Sequence, residues 1–212
     1  MAYSDALWIY LVLVFGIIVV PGMDMLFVLA NALTGGRRAG LAATGGIMAG
    51  GVAHTIFGAT AVGVLARSAP GLLSALVLVG AAYMAWIGIT LMRTSITVDA
   101  VGRANTRSQW VAFRQGLVTC LLNPKAYLFT FSVFPQFIRP EYGPVWSQGL
   151  VIGVITVLMQ LTIYGGLALA AGRSRDFLVA SPQITIWIGR GAGLLFLVVA
   201  VFTAWHGLAQ AK

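Results

Sequence analysis

Between Ala6 and Gly36 a single side chain, Asp24, carries a charge, and charge-poor intervals of this kind recur along the chain. A helix needs about 20 apolar residues to cross the hydrocarbon core of a bilayer. Six intervals meet that length, at approximately 6–34, 40–66, 70–92, 115–138, 145–171 and 184–208. Of the 212 residues 59% are hydrophobic and 8% charged, whereas a soluble domain is about a quarter charged. This chain cannot cover itself with polar surface, so the expected fold is an all-α, polytopic membrane protein of six transmembrane helices. The first interval has no basic stretch before it and no small-x-small cleavage site after it, and it reads as a permanent span.

Connectors containing "TGGRRAG", "ARSAPG" and "RPEYGP" separate the spans with Gly, Pro and charge, and the longest, around 93–113, carries Arg93, Asp99, Arg103 and Arg107. Trp8, Tyr10, Tyr142 and Trp146 fall near span ends, where amphipathic rings favour the headgroup region. With loops on alternating sides, Arg37, Arg38, Arg93, Arg103, Arg107, Arg114, Arg173 and Arg175 share one side, against Arg67, Arg139 and Lys212 on the other. The positive-inside rule makes the richer side cytoplasmic and puts both termini outside. The formal charge of +8 thus reports topology before any nucleic-acid partner.

The two halves of the chain resemble each other. "PGMDMLF" in span one answers "PKAYLF" in span four, "GVLARS" answers "ALAAGRS" at the ends of spans two and five, and "YMAWIGITL" answers "FTAWHGLAQ" in spans three and six. A three-span unit repeated once inserts in opposite orientations, so the expectation is an inverted repeat within one domain, 1–212. Its halves, approximately 1–93 and 114–212, would be joined by a cytoplasmic loop. That architecture belongs mainly to secondary transporters, which bind their solute near the midplane between discontinuous helices.

Polar residues inside the spans mark where such a site would lie. Pro21 with Gly22 interrupts span one, and Pro124, preceded by Asn123, interrupts span four, freeing backbone groups that need other partners or a cavity. Asp24 and Lys125 are ionisable groups deep in apolar spans, each costing roughly 3 kcal/mol or more at a bilayer centre. Asp24 lies about 20 Å inward from Arg37, and Lys125 about 16 Å inward from Arg114, so the two are expected to pair. His54 and Gln160 stand at equivalent points before the matched "RS" ends. His54 either relays protons or bonds a neighbouring carbonyl. Tyr83 could hydrogen-bond a solute, and Arg190 is near enough to a span end to snorkel. The Gly-rich stretch "GGIMAGG" reads as close helix packing.

Several chemistries are excluded. The lone Cys120 rules out internal disulfides and a thiolate metal cage, and two histidines and five acids leave little for a metal site, so no cofactor is expected. "GGRRAG" lacks the pattern of a nucleotide-binding loop and fits lipid phosphate contact better. An intramembrane hydrolase using His54 as base would need a nucleophile motif that is missing. An exporter of metal or inorganic ions is the nearer alternative, although one intramembrane carboxylate argues against divalent cations.

"PGMDMLFVLANALTGGRRAGLAATGGIMAG" and "NPKAYLFTFSVFPQF" resemble the LysE/RhtB family of bacterial amino-acid exporters, and the resemblance covers essentially the whole chain. Pro21, Gly22 and Asp24 match the family's first-span motif, with Met23 in place of its second proline. Asn123, Pro124 and Lys125 match in span four, as do Pro135, Gln136 and Phe137. The resemblance implies a multi-pass protein of the bacterial inner membrane that is not an enzyme. It would export a small amino acid or close analogue by proton antiport and would have membrane lipid around it. Homo-oligomerisation is left open. Pro21, Gly22, Asp24, His54, Tyr83, Asn123, Pro124, Lys125 and Gln160 are the residues expected at the solute and proton site.

Overall fold

The computed structural model describes residues 2–93, 108–171 and 182–210, and every regular element among them is helical. The elements are α1 Tyr3–Val19, α2 Met23–Ser68, α3 Pro70–Arg93, α4 Gln109–Leu121, α5 Pro124–Phe137, α6 Val145–Gln160, a π-helical turn Leu161–Gly165, α7 Gly166–Leu169 and α8 Pro182–Gln210. Asp5 opens α1, its carboxylate accepting from the Ala2 N–H at 3.1 Å, and Asn123 caps α5, its side chain accepting from the Lys125 N–H at 3.0 Å. A short 3₁₀ turn, Pro140–Tyr142, leads into α6. There the buried Gln148 holds the connector by donating to Arg139 O and Gly143 O and accepting from Arg139 N.

A straight helix with the 46 residues of α2 would be about 69 Å long, more than twice the hydrocarbon thickness of a bilayer. It is not straight. Gly36 has φ 75 and ψ 178, a left-handed φ that glycine adopts without a Cβ penalty. Beyond it the chain doubles back, since a Cβ on Gly40 would stand 2.6 Å from the Cβ of Ala32. Residues eight apart on a straight helix would be separated by about 12 Å. The connector expected at "TGGRRAG" has therefore contracted to a single residue.

Packing places the two helix breaks side by side. The later part of α2 lies so close to α4 that a Cβ on Gly46 would strike the carbonyl oxygen of Phe113, and one on Gly116 the carbonyl of Ala43. α3 lies along α8, Gly88 against Gly193, and along α5, Gly80 against Ser132. Tyr10 of α1 packs among Phe129, Phe134 and Phe137 of α5, with ring centroids 6.3, 6.2 and 5.6 Å away.

The outer surface is apolar. Trp8, Trp146 and Trp205 are 68%, 73% and 75% exposed, among many large exposed hydrophobic residues that water would not accommodate but lipid does. Trp8 and Trp146 keep the exposed role expected near span ends, but Tyr10 is buried at 0% exposure and belongs to the core, so its interfacial reading is corrected. By length and composition Met23–Leu65 and Val145–Leu169 are apolar enough to cross a membrane, and α4 with α5, bent by 56° to each other, meet the same test when taken together as one span. Arg190 is exposed with its guanidinium over the Trp187 ring, 5.4 Å from the centroid. Asp99, Arg103, Arg107, Arg173, Arg175 and Lys212 lie outside the described residues.

Candidate functional site

The first break follows from one missing hydrogen. In a continuous helix the carbonyl of Ile17 would accept from the N–H of residue 21, which is proline and has none. Helix α1 stops at Val19, Val20 and Gly22 are extended, and α2 starts at Met23. Lys125 Nζ, reaching over from α5, donates to Ile17 O at 3.0 Å and to Val20 O at 3.3 Å. Its positive charge also meets the negative end of the α1 dipole. Gly22 leaves room for it, since a Cβ there would stand 3.0 Å from Nζ.

The second break repeats this chemistry. Pro124 leaves the carbonyl of Cys120 without its helical donor, and that oxygen accepts from His54 Nε2 at 3.0 Å and from the Asn123 N–H at 3.1 Å. A carbonyl only accepts, so Nε2 carries the hydrogen. This is the carbonyl bond that is one of the two sequence readings of His54. The Tyr127 ring meets it edge to face at 4.5 Å.

Between the breaks lies a cavity of about 60 Å³, where about 10–15 Å³ already admits one water. Its lining includes Asp24, His54, Asn123, Lys125 and Gln160, so five residues singled out in the sequence meet in one place. Pro21 and Gly22 shape the break beside it without lining it, and Pro124 stands at the first turn of α5. The Tyr83 side chain lies outside the described residues, on α3.

Among the described residues three lining atoms have no hydrogen-bond partner at close, aligned distance: Asp24 Oδ1, Asn123 Nδ2 and Gln160 Oε1. Their residues are only 5%, 2% and 6% exposed, and an unpaired polar group so buried costs about 1–3 kcal/mol unless water or a ligand meets it. The Asn123 side chain acts on the Asp24 carboxylate as a hydrogen-bonding neighbour without a closed, aligned bond, and Lys125 and His54 act on it through charge. Asp24 and Lys125 act on each other through charge, but no contact within 4.0 Å joins them, so the close pair expected from their depth is not formed in this arrangement. The ammonium goes instead to Ile17 O, which Pro21 orphans, and to Val20 O beside it.

Sequence reasoning missed Tyr10, Thr156 and Tyr164 as lining residues. Thr156 donates to Ile152 O at 2.9 Å, so the 2.7 Å contact between Tyr10 and Thr156 hydroxyls has Tyr10 as donor. Tyr164 reaches the cavity with Gln160 because the π-helical turn between them widens the helix, a distortion common at functional sites. A Tyr-Thr match between spans one and five has no sequence signature. The Gly-Gly pair at 165 and 166 was the one local hint of an irregular turn.

Buried polar groups gathered between broken apolar helices are the arrangement by which membrane transporters hold a solute. Comparison with known proteins makes this specific. A profile of the LysE type translocator family matches residues 15–207, and the chain belongs to that family. The homoserine/homoserine lactone efflux protein of Salmonella typhimurium is 28% identical over 184 residues, covering 87% of this chain and 88% of that one. An uncharacterized membrane protein of Pseudomonas aeruginosa is 31% identical over 201 residues, 90% of each chain. The leucine efflux protein of Salmonella typhimurium is 34% identical over 134 residues, 62% of each. No solved structure matches.

Proposed function

We propose that this chain exports a small amino acid, or a close analogue, from the cytoplasm in exchange for protons, binding it in the cavity between the two breaks. The observation that carries this reading is the set of unpartnered atoms there: two acceptors, Asp24 Oδ1 and Gln160 Oε1, and one donor, Asn123 Nδ2. An amino acid supplies the complement. Its ammonium has hydrogens for both acceptors, and its carboxylate accepts from Asn123 Nδ2 and from the third N–H of Lys125, whose other two hydrogens are held by α1 carbonyls. A calcium or magnesium ion would need six or more oxygen ligands and would meet donors here instead. The names of two relatives, for homoserine and leucine efflux, support the amino-acid class.

Asp24 is the coupling group in this reading, since a carboxylate freed from a permanent partner can alternate between holding a proton and holding the substrate ammonium. The rest of the architecture follows the same logic. Six spans form two inverted three-helix units within one domain of the bacterial inner membrane, spans one and four being the broken pair. The cavity is small, so a larger side chain enters only as the half-helices part.

A substrate panel tests the class. Cells overproducing the protein are challenged with inhibitory amino acids and analogues, and relief of toxicity by at least one of them is expected. Relief by none, with metal salts relieved instead, would replace this reading with ion export.

A further inference from the structure

The carboxyl end of α1 holds a cation that belongs to the chain itself. Lys125 Nζ lies 3.0 Å from Ile17 O and 3.3 Å from Val20 O, and 3.0 Å from where a Cβ on Gly22 would stand. Each of these suits a primary ammonium. Ile17 O has no helical donor because residue 21 is proline, and the dipole of the 17-residue α1 ends there with partial negative charge. Gly22 omits the side chain that would crowd the nitrogen. The cation arrives on a flexible stem from another element, more than a hundred residues along the chain. Nothing in this cradle requires that stem.

We infer that the carboxyl end of α1 is a binding site for a primary ammonium group, and that Lys125 fills it as a tethered ligand that a free alkylammonium can replace. A consequence follows for transport. In a step after that first binding, a substrate carboxylate that draws Lys125 Nζ off both carbonyls leaves the cradle open to the substrate's own ammonium, which then moves over from Asp24. That consequence rests on the amino-acid reading, while the site does not.

The test uses purified Lys125→Ala protein titrated with methylammonium chloride, read by tryptophan-fluorescence melting. A saturable rise in Tm of about 2–4 °C is expected. Wild type, with the cradle already filled, should not respond. Neither should Lys125→Ala with tetramethylammonium at equal ionic strength, which has no N–H to donate, nor Gly22→Ala/Lys125→Ala with methylammonium. No rise in Lys125→Ala, or an equal rise with tetramethylammonium, overturns the site. Should Lys125→Ala fail to fold alone, its recovery as monodisperse protein only when extracted in methylammonium supports the site, and no recovery with methylammonium overturns it. Absence of amino-acid export by wild type would sink the transport reading and leave this result standing.

Discussion

Two prolines, each removing one hydrogen, account for much of the chemistry at the centre of this protein. Ile17 is four residues before Pro21 and Cys120 four before Pro124, and the two stranded carbonyls are met by Lys125 and His54. If Lys125 substitutes for the missing N–H, restoring that N–H should relieve its loss. Lys125→Met should cost about 1–3 kcal/mol of stability by leaving Ile17 O and Val20 O unmet. In a Pro21→Ala background, where residue 21 can donate to Ile17 O, the same change should cost less. A double-mutant cycle read by thermal unfolding measures the difference, and strict additivity would show that Lys125 does not play this part. For Asp24 the expectation is functional. In proteoliposomes loaded with a transported amino acid, Asp24→Asn should abolish accumulation driven by a proton gradient while sparing slow downhill exchange. A variant that still accumulates solute would remove Asp24 as the coupling group.

At the scale of elements, glycines decide where helices turn and how closely they meet. Gly36→Ala should destabilise the protein by about 1–3 kcal/mol, because φ 75 with ψ 178 is a backbone conformation open essentially only to glycine. Gly46→Val should be far worse, since a side chain there collides with the backbone of α4 at Phe113 and Leu117, where rotamer changes give no relief. Gly191→Ala, with nothing within 4 Å of its Cβ on α8, should be neutral or slightly stabilising. Melting curves of the three variants in one detergent test the order, and a Gly46→Val protein as stable as Gly191→Ala would contradict the α2–α4 packing. These positions were not separable in the sequence, where "GGIMAGG" announces close packing without naming the partner.

Across the whole molecule, orientation is the property the described residues leave to charge alone. Both termini are expected outside, because the basic loop residues cluster on the opposite side. Single cysteines at Ser4 and Asn105 in a Cys120→Ala background can be treated with an impermeant thiol reagent on intact cells. Ser4→Cys should label and Asn105→Cys should not, and the reverse pattern would invert the topology.

The elements were legible from the chain because their causes are local. Apolar runs of membrane length, a proline in each of two of them, and the Gly-Arg turn at 35–38 each act within a few residues, and the helices begin and end near the expected places. The site was half legible for the same reason: Asp24, His54, Asn123, Lys125 and Gln160 are expensive in hydrocarbon wherever they point, so their presence alone marks them. Which groups they meet depends on three dimensions. Equal depth suggested that Lys125 pairs with Asp24, but depth says nothing of azimuth, and two carbonyls at a helix end compete for the same ammonium. The burial of Tyr10 against Thr156, and the widened turn that brings Tyr164 beside Gln160, arise from helices crossing far apart in sequence, and no pattern along the chain records such a crossing.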